Sequence, residues 1–208
     1  MVLNGDYYPI WRTNRINKLI TVLGGKEWFI NKEILELGCT TGAISSILKS
    51  YGAIPTCAEG NIDHIKQIKE NIDNVFHIDN DKEWNLNKKF DLVIHWGLLY
   101  HLNDWKNDLV RAINHAKILT LETEVLDTTD INQEIKTNEN WDDGAINRIG
   151  TRMSPYMIEK ILTESNTKFV RYDDEDLNIS YHNYSWKDGD YNNGTWHPGV
   201  RRFWVIWT

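Results

Sequence analysis

The sequence contains little cysteine and no long apolar run. Its two cysteines, Cys39 and Cys57, lie at the carboxyl ends of short apolar stretches, where they fit as small apolar fillers and imply no disulfide framework. No apolar run approaches the roughly 20 residues that a membrane helix needs. Residues 1–10 lack the basic and then apolar order of a secretory signal, so we expect a cytoplasmic protein.

Basic residues are also scarce. The chain has 23 lysine and arginine residues against 30 aspartate and glutamate residues, which gives a formal net charge of -7. A protein that grips nucleic acid needs a basic stripe, and the pairs Lys88-Lys89 and Arg201-Arg202 are too short to form one. The sequence therefore favours a small-molecule substrate over nucleic acid. It contains no cysteine and histidine cluster with zinc spacing and no phosphate loop ending in Gly-Lys-Ser/Thr, so no metal site is predicted.

What the sequence does contain is an alternation of apolar runs and helical patterns. Seven runs read as strands, at residues 34–37, 54–58, 75–78, 90–96, 117–125, 168–173 and 202–207. Helical patterns cover residues 42–51, 62–72, 105–115 and 156–165, and another begins at residue 10 and stops at Gly24-Gly25. Near-continuous apolar strands between helices predict an α/β fold with a seven-stranded, mostly parallel sheet and helices on both faces.

Two segments interrupt this alternation. The length and the lack of a linker predict one domain over residues 1–208, with residues 1–30 as an amino-terminal helical cap. Residues 126–153 are long and polar and read as irregular, and residues 178–200 place aromatic and histidine clusters around a turn-rich stretch. Long loops in compact domains often carry function, so both segments are predicted on the substrate side.

Acidic residues and glycines stand where the first three strands end. Glu36 lies in the first strand and precedes Gly38 and Gly42, Glu59 follows the second strand, and Asp79-Asn80 follows the third. Because the carboxyl ends of parallel strands share one edge of a sheet, we expect these residues at one ligand-binding crevice. Glycine lets the backbone approach a ligand closely and accepts positive φ without steric cost.

This order of residues resembles a known cofactor loop. The stretch Glu36-Leu37-Gly38-Cys39-Thr40-Thr41-Gly42, with the acid at Glu59, is similar to that of class I S-adenosylmethionine (SAM) methyltransferases. It does not match the Gly-x-Gly-x-x-Gly of dinucleotide-binding dehydrogenases. The resemblance covers residues 34–125 and implies the Rossmann-like fold of that family, with SAM as the cofactor.

The resemblance also implies a role for each residue. Glu36 and the loop of residues 38–42 would hold the amino-acid end of SAM, with Glu36 near the ammonium group. Glu59 would accept hydrogen bonds from both ribose hydroxyls, and Asp79 would face the adenine amino group, with Asp81 as the second choice. The cofactor-binding residues expected on this basis are Glu36, Gly38, Cys39, Thr40, Gly42, Glu59, Asp79, Asn80 and Trp96.

One position departs from the family pattern, which commonly has a glycine midway through the turn where this chain has Thr40. A β-branched residue resists positive φ. We therefore expect the turn to be shaped differently, or to leave less room beside the methionine end of the cofactor.

The exit of the fourth strand provides a second match. Residues 90–102 begin with Phe-Asp and continue into Gly-Leu-Leu-Tyr-His, which resembles the family's fourth strand and the loop that borders the methyl group. Tyr100 and His101 are the expected catalytic contacts, since histidine serves as a general base near neutral pH. A structural histidine that caps the next helix is the alternative for His101. The Asn/Asp-Pro-Pro-aromatic sequence of amino-methylating members is absent here.

Three residues are candidates for substrate contact. Glu122 and Glu124 lie two apart on one face of the fifth strand, and one of them, Glu122 in our assignment, is expected to bind a substrate hydroxyl or amine. Arg148 and Arg152 precede a helix that opens at Ser154, beside an anion-favouring amino terminus. They predict recognition of a carboxylate or phosphate.

These residues together predict SAM-dependent methyl transfer to a small polar molecule by in-line displacement. Placing nucleophile and methyl in line, roughly 3 Å apart, supplies much of the acceleration, so the lack of a catalytic triad is no objection. Three alternatives stay open: a non-catalytic SAM-binding or scaffolding domain, a tRNA-modifying methyltransferase and, against the glycine spacing, an NAD-type oxidoreductase.

Overall fold

A computed structural model of the protein describes residues 7–141, 144–191 and 196–208. The α-helices in these ranges are α1 (Tyr7–Leu23), α2 (Ala43–Ser50), α3 (Ile62–Ile68), α4 (Trp105–Asn114) and α5 (Pro155–Glu164). The strands are β1 (Glu33–Leu37), β2 (Ile54–Glu59), β3 (Asn74–His77), β4 (Leu92–Trp96), β5 (Ile118–Leu126), β6 (Glu134–Asn138), β7 (Ile149–Met153), β8 (Lys168–Arg171) and β9 (Trp196–Trp207). None of the helices described has the length and apolar character needed to cross a membrane.

Seven of the strands form one sheet, in the order β3-β2-β1-β4-β5-β9-β8. Strands β1 to β5 run parallel to one another, and β9 lies antiparallel between β5 and β8. The predicted α/β fold with a seven-stranded, mostly parallel sheet is thus confirmed. The strand order reverses between β1 and β4, and open α/β sheets bind ligands at such a switch point, outside the carboxyl ends of the strands.

Alternate residues of the strands pack against helices on opposite faces of the sheet. Ile34 belongs to an apolar cluster that includes Leu19 of α1 and Leu48 of α2. Its neighbour Leu35 belongs to a second cluster with Leu109 of α4, together with buried residues of α5. Side chains alternate across a strand with a period of two, so covering both faces makes β1 and β4 read as near-continuous apolar runs.

Two helix starts follow directly from their capping residues. The Asn61 side chain accepts a hydrogen bond from the Asp63 N–H at the start of α3. The Ser154 side chain accepts one from the Tyr156 N–H at the start of α5, where Pro155 occupies the first turn. Both arrangements satisfy amide groups that a helix leaves unpaired at its first turn.

The polar sequence of residues 126–153 predicts an irregular segment, and this prediction is wrong because the segment contains a β-hairpin. Strands β6 and β7 pair antiparallel, from Glu134 opposite Met153 to Asn138 opposite Ile149. β6 is polar and at least partly exposed throughout, and β7 reads Ile-Gly-Thr-Arg-Met although it is mostly buried, so neither strand shows an apolar run. Asp142 and Asp143, which belong to the same predicted segment, lie outside the described residues.

The last strand begins at Trp196, six residues earlier than its apolar run predicts, because Pro198 and Gly199 read as a turn. The pairing register shifts between Glu124 and Leu126, opposite this part of β9, and such irregular positions accept proline and glycine within a strand.

Neighbouring arginines in β9 face opposite sides of the sheet. Arg201 Nη2 donates to Glu124 Oε1 at 2.9 Å, on the face that α1 covers. Arg202 lies on the other face, with its guanidinium carbon 3.3 Å from the centre of the Trp186 ring.

Candidate active site

One cavity lies along the carboxyl edge of the sheet. Its volume is about 1250 Å³, enough for a nucleoside cofactor and a second small molecule, because ligand pockets usually span roughly 300–1,000 Å³. Of the residues predicted from sequence, it is lined by Glu36, Gly38, Cys39, Thr40, Glu59, Asp79, Asn80, Trp96, Tyr100, His101, Arg148 and Arg152. The two sequence motifs therefore meet in a single space.

The loop after β1 has the backbone shape that its glycines predict. Gly38 and Gly42 have φ values of 65° and 69°, and a Cβ atom added at Gly38 would lie 3.0 Å from the Leu98 side chain. Thr40 also takes a positive φ, 50°. The expectation that Thr40 alters the turn is wrong in this respect, because the residue accepts the left-handed conformation that glycine would adopt. Gly42 itself is the residue before α2 and not part of the cavity wall.

Glu59 holds the loops on both sides of its strand. Its Oε2 accepts a hydrogen bond from the Thr40 N–H at 2.8 Å, and its Oε1 accepts one from the Asn61 N–H at 2.8 Å. These bonds help to keep Thr40 in its left-handed conformation. Each carboxylate oxygen retains a second lone pair, so Glu59 can still accept bonds from a ligand in the cavity.

Glu36 is a buried carboxylate at the cavity wall. Its Oε2 accepts hydrogen bonds from the backbone N–H of Ser45 at 2.9 Å and from the Ser45 hydroxyl at 2.5 Å. Burial raises the pKa of Glu36 to about 7, although the bonds from Ser45 act in the opposite direction. A cationic group placed beside Glu36 would favour its ionised form.

The two aspartates after β3 differ in what they bind. Asp79 pairs with Lys82 at 3.0 Å, and that lysine side chain is exposed. Asp81 Oδ1 accepts bonds from the backbone N–H groups of Asn103 and Asp104, at 2.7 and 2.8 Å. Asp81 thus connects the loop after β3 to the loop before α4, which leaves Asp79 as the acceptor more available to a ligand.

Asn80 lies between these aspartates and turns its amide inward. Its Nδ2 donates to Asp108 Oδ1 at 2.8 Å, and the other oxygen of Asp108 bonds His95 Nε2 at 2.7 Å. Asn80 therefore anchors the loop after β3 to β4 and α4 and presents little of its side chain to the cavity.

Aromatic residues form the floor between the two ends of the cavity. Trp96 is buried at the end of β4 and contacts Phe203. Tyr100 is also buried, and its hydroxyl lies 3.4 Å from Arg201 Nη2. Burial raises the pKa of Tyr100 well above its ordinary value, although the charge of Arg201 acts against this. Tyr100 therefore stays protonated and acts as a hydrogen-bonding wall rather than as a base.

His101 is half of a hydrogen-bonded pair that the sequence did not reveal. Its Nδ1 lies 2.5 Å from Oε2 of Glu139, a residue just beyond β6. Burial raises the pKa of Glu139, but the hydrogen bond and charge of His101 and the charge of Arg152 lower it further, so the net shift is downward. His101 is itself only partly exposed and lines the cavity.

Glu122, assigned to substrate contact from sequence, lies behind the cavity wall and does not line it. Arg15 Nη1 and Arg201 Nη1 approach its carboxylate to 3.2 and 3.1 Å, and the Tyr184 hydroxyl donates to it at 2.8 Å. Its neighbour on the same face, Glu124, does line the cavity. Glu122 lies opposite Trp96, the last residue of β4, so Glu124 lies beyond the end of that neighbouring strand, which accounts for the difference.

The two arginines expected to bind an anion have different surroundings. Arg152 is buried and bonded to two carboxylates, with Nε 2.9 Å from Glu124 Oε2 and Nη1 in contact with Glu139. Its charge is therefore already compensated. Arg148 is exposed, has a φ of 59°, and donates to the Trp141 carbonyl at 3.1 Å, so of the pair it is the one available to an anionic ligand.

The segment predicted as a substrate-side wall contributes aromatic rings. Tyr181, His182 and Trp196 line the cavity, and the His182 ring packs 5.1 Å from that of Trp11 in α1. Burial, reinforced by the charges of Arg201 and Arg15, lowers the pKa of His182 far below its ordinary value, so this ring is neutral. Residues 192–195, the rest of the predicted turn, lie outside the described residues.

In the described ranges no group of three or more histidine, cysteine, aspartate or glutamate side chains is arranged to hold a metal ion. The groups that could hold a cofactor are the carboxylates and backbone of the loops after β1, β2 and β3.

The chain matches the model of a protein family described as a methyltransferase domain, over residues 8–171. A search of curated proteins finds no match. Among solved structures, the chain is similar to the N-terminal domain of EvdMO1, crystallised with S-adenosylhomocysteine and D-fucose, with 15% identity, a TM-score of 0.64, and coverage of 94% of this chain and 81% of that one.

Two further structures have the same fold. A SAM-dependent methyltransferase from Clostridium acetobutylicum shares 14% identity, with a TM-score of 0.61 and coverage of 96% and 91%. Magnesium protoporphyrin IX methyltransferase from Synechocystis, with bound SAM, shares 12%, with a TM-score of 0.63 and coverage of 100% and 85%. Because the family match extends over most of the chain, this protein belongs to the methyltransferase domain family, and it has the fold of the SAM-dependent methyltransferases.

Proposed function

We propose that this protein transfers the methyl group of SAM to a small polar molecule. The observation that carries the proposal is the single cavity in which the glycine loop and acids of β1 to β3 adjoin the His101–Glu139 pair. A cofactor site alone would need only the first group. A partly exposed histidine held by a carboxylate at the far end supplies what an acceptor with a removable proton requires.

The residues at the cofactor end suit SAM. The left-handed Gly38 and Thr40 bring backbone close to the cavity, Glu36 provides a carboxylate for the ammonium group, and Glu59 retains lone pairs for the ribose hydroxyls. Asp79 is placed for the adenine amino group. When bound, SAM supplies an electrophilic methyl group on a sulfonium centre.

The acceptor end accounts for the remaining chemistry. His101 accepts the proton that the acceptor's hydroxyl or amine loses as it attacks, through the ring nitrogen that Glu139 does not engage. Tyr100 and Trp96 form the floor and limit how the acceptor sits against the methyl group, and orientation of this kind supplies much of the rate enhancement in such transfers. Arg148 and Glu124 provide polar contacts at the rim and wall.

The proposed size and polarity of the acceptor have support from the comparisons. The EvdMO1 domain, which shares the fold, was crystallised with S-adenosylhomocysteine together with D-fucose, a small hydroxylated molecule. The cavity wall of this protein mixes aromatic rings with Glu124 and arginines, a combination that suits a compact molecule with both a ring face and polar substituents. The acidic net charge speaks against a polyanionic nucleic acid acceptor.

The test is calorimetric titration of the purified protein with SAM, with S-adenosylhomocysteine and with NAD. We expect saturable binding of the first two and none of NAD. Once binding is established, transfer of labelled methyl from SAM into a pool of small polar metabolites identifies the acceptor. No binding of either SAM compound refutes the cofactor assignment, whereas binding without any transfer favours a non-catalytic SAM-binding domain.

A further inference from the structure

The loop that joins β6 to β7 touches the cavity at two places. Glu139 opens this loop and contacts His101. Farther along the same loop, at the hairpin tip, Asn147 Nδ2 donates to Asp81 Oδ2 at 2.9 Å. Ile146 lies so close to Gly60, the residue after β2, that a Cβ atom added there would overlap its Cδ1. One loop therefore contacts both the cofactor edge of the sheet and the histidine on the acceptor side.

Contacts with three residues fix the position of the Glu139 carboxylate. Its Oε2 accepts hydrogen bonds from His101 Nδ1 at 2.5 Å and from the Ala145 N–H at 2.7 Å. Its Oε1 contacts Arg152 Nη1, and its side chain is fully buried. The bond from Ala145 is the connection to the hairpin tip, because the next two residues along the chain are the ones that rest on the cofactor edge.

A row of alternating charges extends from Glu139 into the protein. Arg152 also binds Glu124 at 2.8 Å, and Arg201 binds that glutamate at 2.9 Å and Glu122 at 3.1 Å. The row ends at Arg15, 3.2 Å from Glu122. Three arginines thus match three buried carboxylates. A buried charge is stable only with such compensation, so Glu139 remains an ionised hydrogen-bond acceptor.

An ionised carboxylate facing Nδ1 determines which nitrogen of the ring carries the proton. A carboxylate accepts hydrogen bonds and cannot donate, so a neutral His101 must place its proton on Nδ1. The lone pair then resides on Nε2, the only ring nitrogen left to take a proton from an acceptor. Without Glu139 the neutral ring would be free to adopt the other tautomer, in which Nε2 is already protonated and inert as a base.

We propose that Glu139 is a positioning residue that holds His101 in the Nδ1-protonated form, and that the seating of the hairpin tip on the cofactor edge keeps Glu139 in place. The inference rests on the proposed function, in which His101 takes the acceptor's proton. It deepens that function by making the state of the base depend on contacts at the cofactor edge of the sheet, through Ala145, Ile146 and Asn147.

The experiment is nitrogen-15 NMR of histidine-labelled protein saturated with S-adenosylhomocysteine, which reports the tautomer of each ring without any acceptor. A His101→Gln variant identifies the His101 signals. In the unaltered protein we expect the Nδ1-protonated form at His101. In Glu139→Gln the single amide oxygen cannot serve both Arg152 and the ring, and we expect the signals to shift toward the Nε2-protonated form.

A milder variant tests the contribution of the tip and does not disturb the buried charges. Asn147→Ala removes the bond to Asp81, and we expect His101 to show a mixture of tautomers. Asn132→Ala is the matched control, because Asn132 is exposed, lies before β6, and should leave the spectrum unchanged.

The outcomes separate the inference from the proposed function. An Nδ1-protonated ring that persists in Glu139→Gln overturns the positioning role, and an unchanged spectrum in Asn147→Ala overturns the role of the tip. Titration with S-adenosylhomocysteine on the same samples tests the cofactor site independently. If the protein binds no S-adenosylhomocysteine, the proposed function is refuted even if the His101 tautomer is as expected.

Discussion

Thr40 shows how one residue can hold a conformation that its side chain disfavours. A left-handed conformation costs a non-glycine residue on the order of 1–3 kcal/mol. A β-branched side chain disfavours this conformation more strongly than an unbranched one. The Thr40 N–H donates to Glu59, and the flanking turn is closed by the Gly42 N–H donating to the Cys39 carbonyl at 2.7 Å. These bonds repay part of the strain.

Replacing Thr40 by glycine should therefore stabilise the protein. Glycine has more conformational freedom in the unfolded chain, which costs roughly 0.5–1 kcal/mol of stability, but removing the strain at residue 40 gains more than this. We therefore expect the free energy of unfolding to rise by about 1 kcal/mol, measured by urea denaturation. Thr41→Gly is the control. Thr41 is equally exposed but is not among the residues with positive φ, so that variant should lose stability.

Glu59 is the residue on which the ribose assignment depends. Glu59→Ala should weaken binding of S-adenosylhomocysteine by about 1.5–3 kcal/mol, the range for hydrogen bonds to a charged group, measured as a rise in Kd by titration calorimetry. Asp63→Ala, at an exposed site outside the cavity, should leave Kd unchanged. An unchanged Kd in Glu59→Ala would place the ribose elsewhere.

His101 is the residue on which the catalytic assignment depends. His101→Ala should lower kcat roughly 10²–10⁴-fold, the usual contribution of a general base, while Kd for S-adenosylhomocysteine stays the same. The measurement is methyl transfer to the acceptor found in the metabolite screen. His197→Ala, an exposed histidine outside the cavity wall, is the control. Loss of cofactor binding together with activity would instead mark His101 as structural.

Sequence reasoning located residues well where a strand end fixed their position. The acids at the ends of β1, β2 and β3 all reach the cavity because the parallel register fixes where each strand stops. The choice of Glu122 over Glu124 failed, since alternation shows that both face one side but not which one lies beyond the end of β4 and lines the cavity. Glu139 could not be found at all, because its partner His101 is 38 residues away in the chain and no spacing rule links them.

At the scale of elements, burial decides what a sequence reveals. The strands buried on both faces were predicted to within a residue or two, since their apolar runs are nearly unbroken. The β6–β7 hairpin was missed because β6 reads Glu-Ile-Lys-Thr-Asn and is partly exposed throughout. Its stability comes from contacts distant in sequence, such as those of Arg152 with Glu124 and Tyr100, which a local pattern does not contain.

Arg152 is the main electrostatic link between the hairpin and the sheet. Arg152→Met should lower the free energy of unfolding by about 3–5 kcal/mol, the usual cost of leaving a buried charge without its partner, measured by urea denaturation. Arg148→Met, a change to an exposed arginine before the same strand, should alter stability by less than about 0.5 kcal/mol. Similar losses in the two variants would show that the buried ion pairs add nothing beyond packing.

At the scale of the whole molecule, the acidic cofactor end predicts a dependence on pH. Burial raises the pKa of Glu36 to about 7, so without a ligand this one carboxyl group is largely protonated below neutrality. A ligand ammonium group favours the carboxylate and lowers that pKa on binding. Affinity for S-adenosylhomocysteine should then rise as pH increases toward 7 and level off above it, with a proton released on binding near pH 7.

Calorimetry in two buffers of different ionisation enthalpy measures that proton release directly. Glu36→Gln removes the titrating group and should abolish the release, whereas binding at high pH should become weaker for lack of the negative charge. The same linkage acts on folding. Because the folded-state pKa lies above the unfolded value of about 4.5, Glu36 makes the protein less stable as pH rises from about 4.5 to 7.

The placement of β9 has a consequence for the order in which the protein is made. This strand lies between β5 and β8, both of which precede it in the chain, and it supplies Arg201 to the row of charges behind the cavity. In a nascent chain that has not yet reached residue 196, β8 has no neighbouring strand to join it to the sheet, and Glu122 and Glu124 lack their ion pairs with Arg201. Because Arg201 and Arg202 face opposite sides, a slip of one residue would exchange them and leave both faces mismatched. Correct register is therefore a condition for pairing the buried carboxylates: the ion pairs behind the cavity are complete only when the last strand has entered with Arg201 beside Glu122 and Glu124.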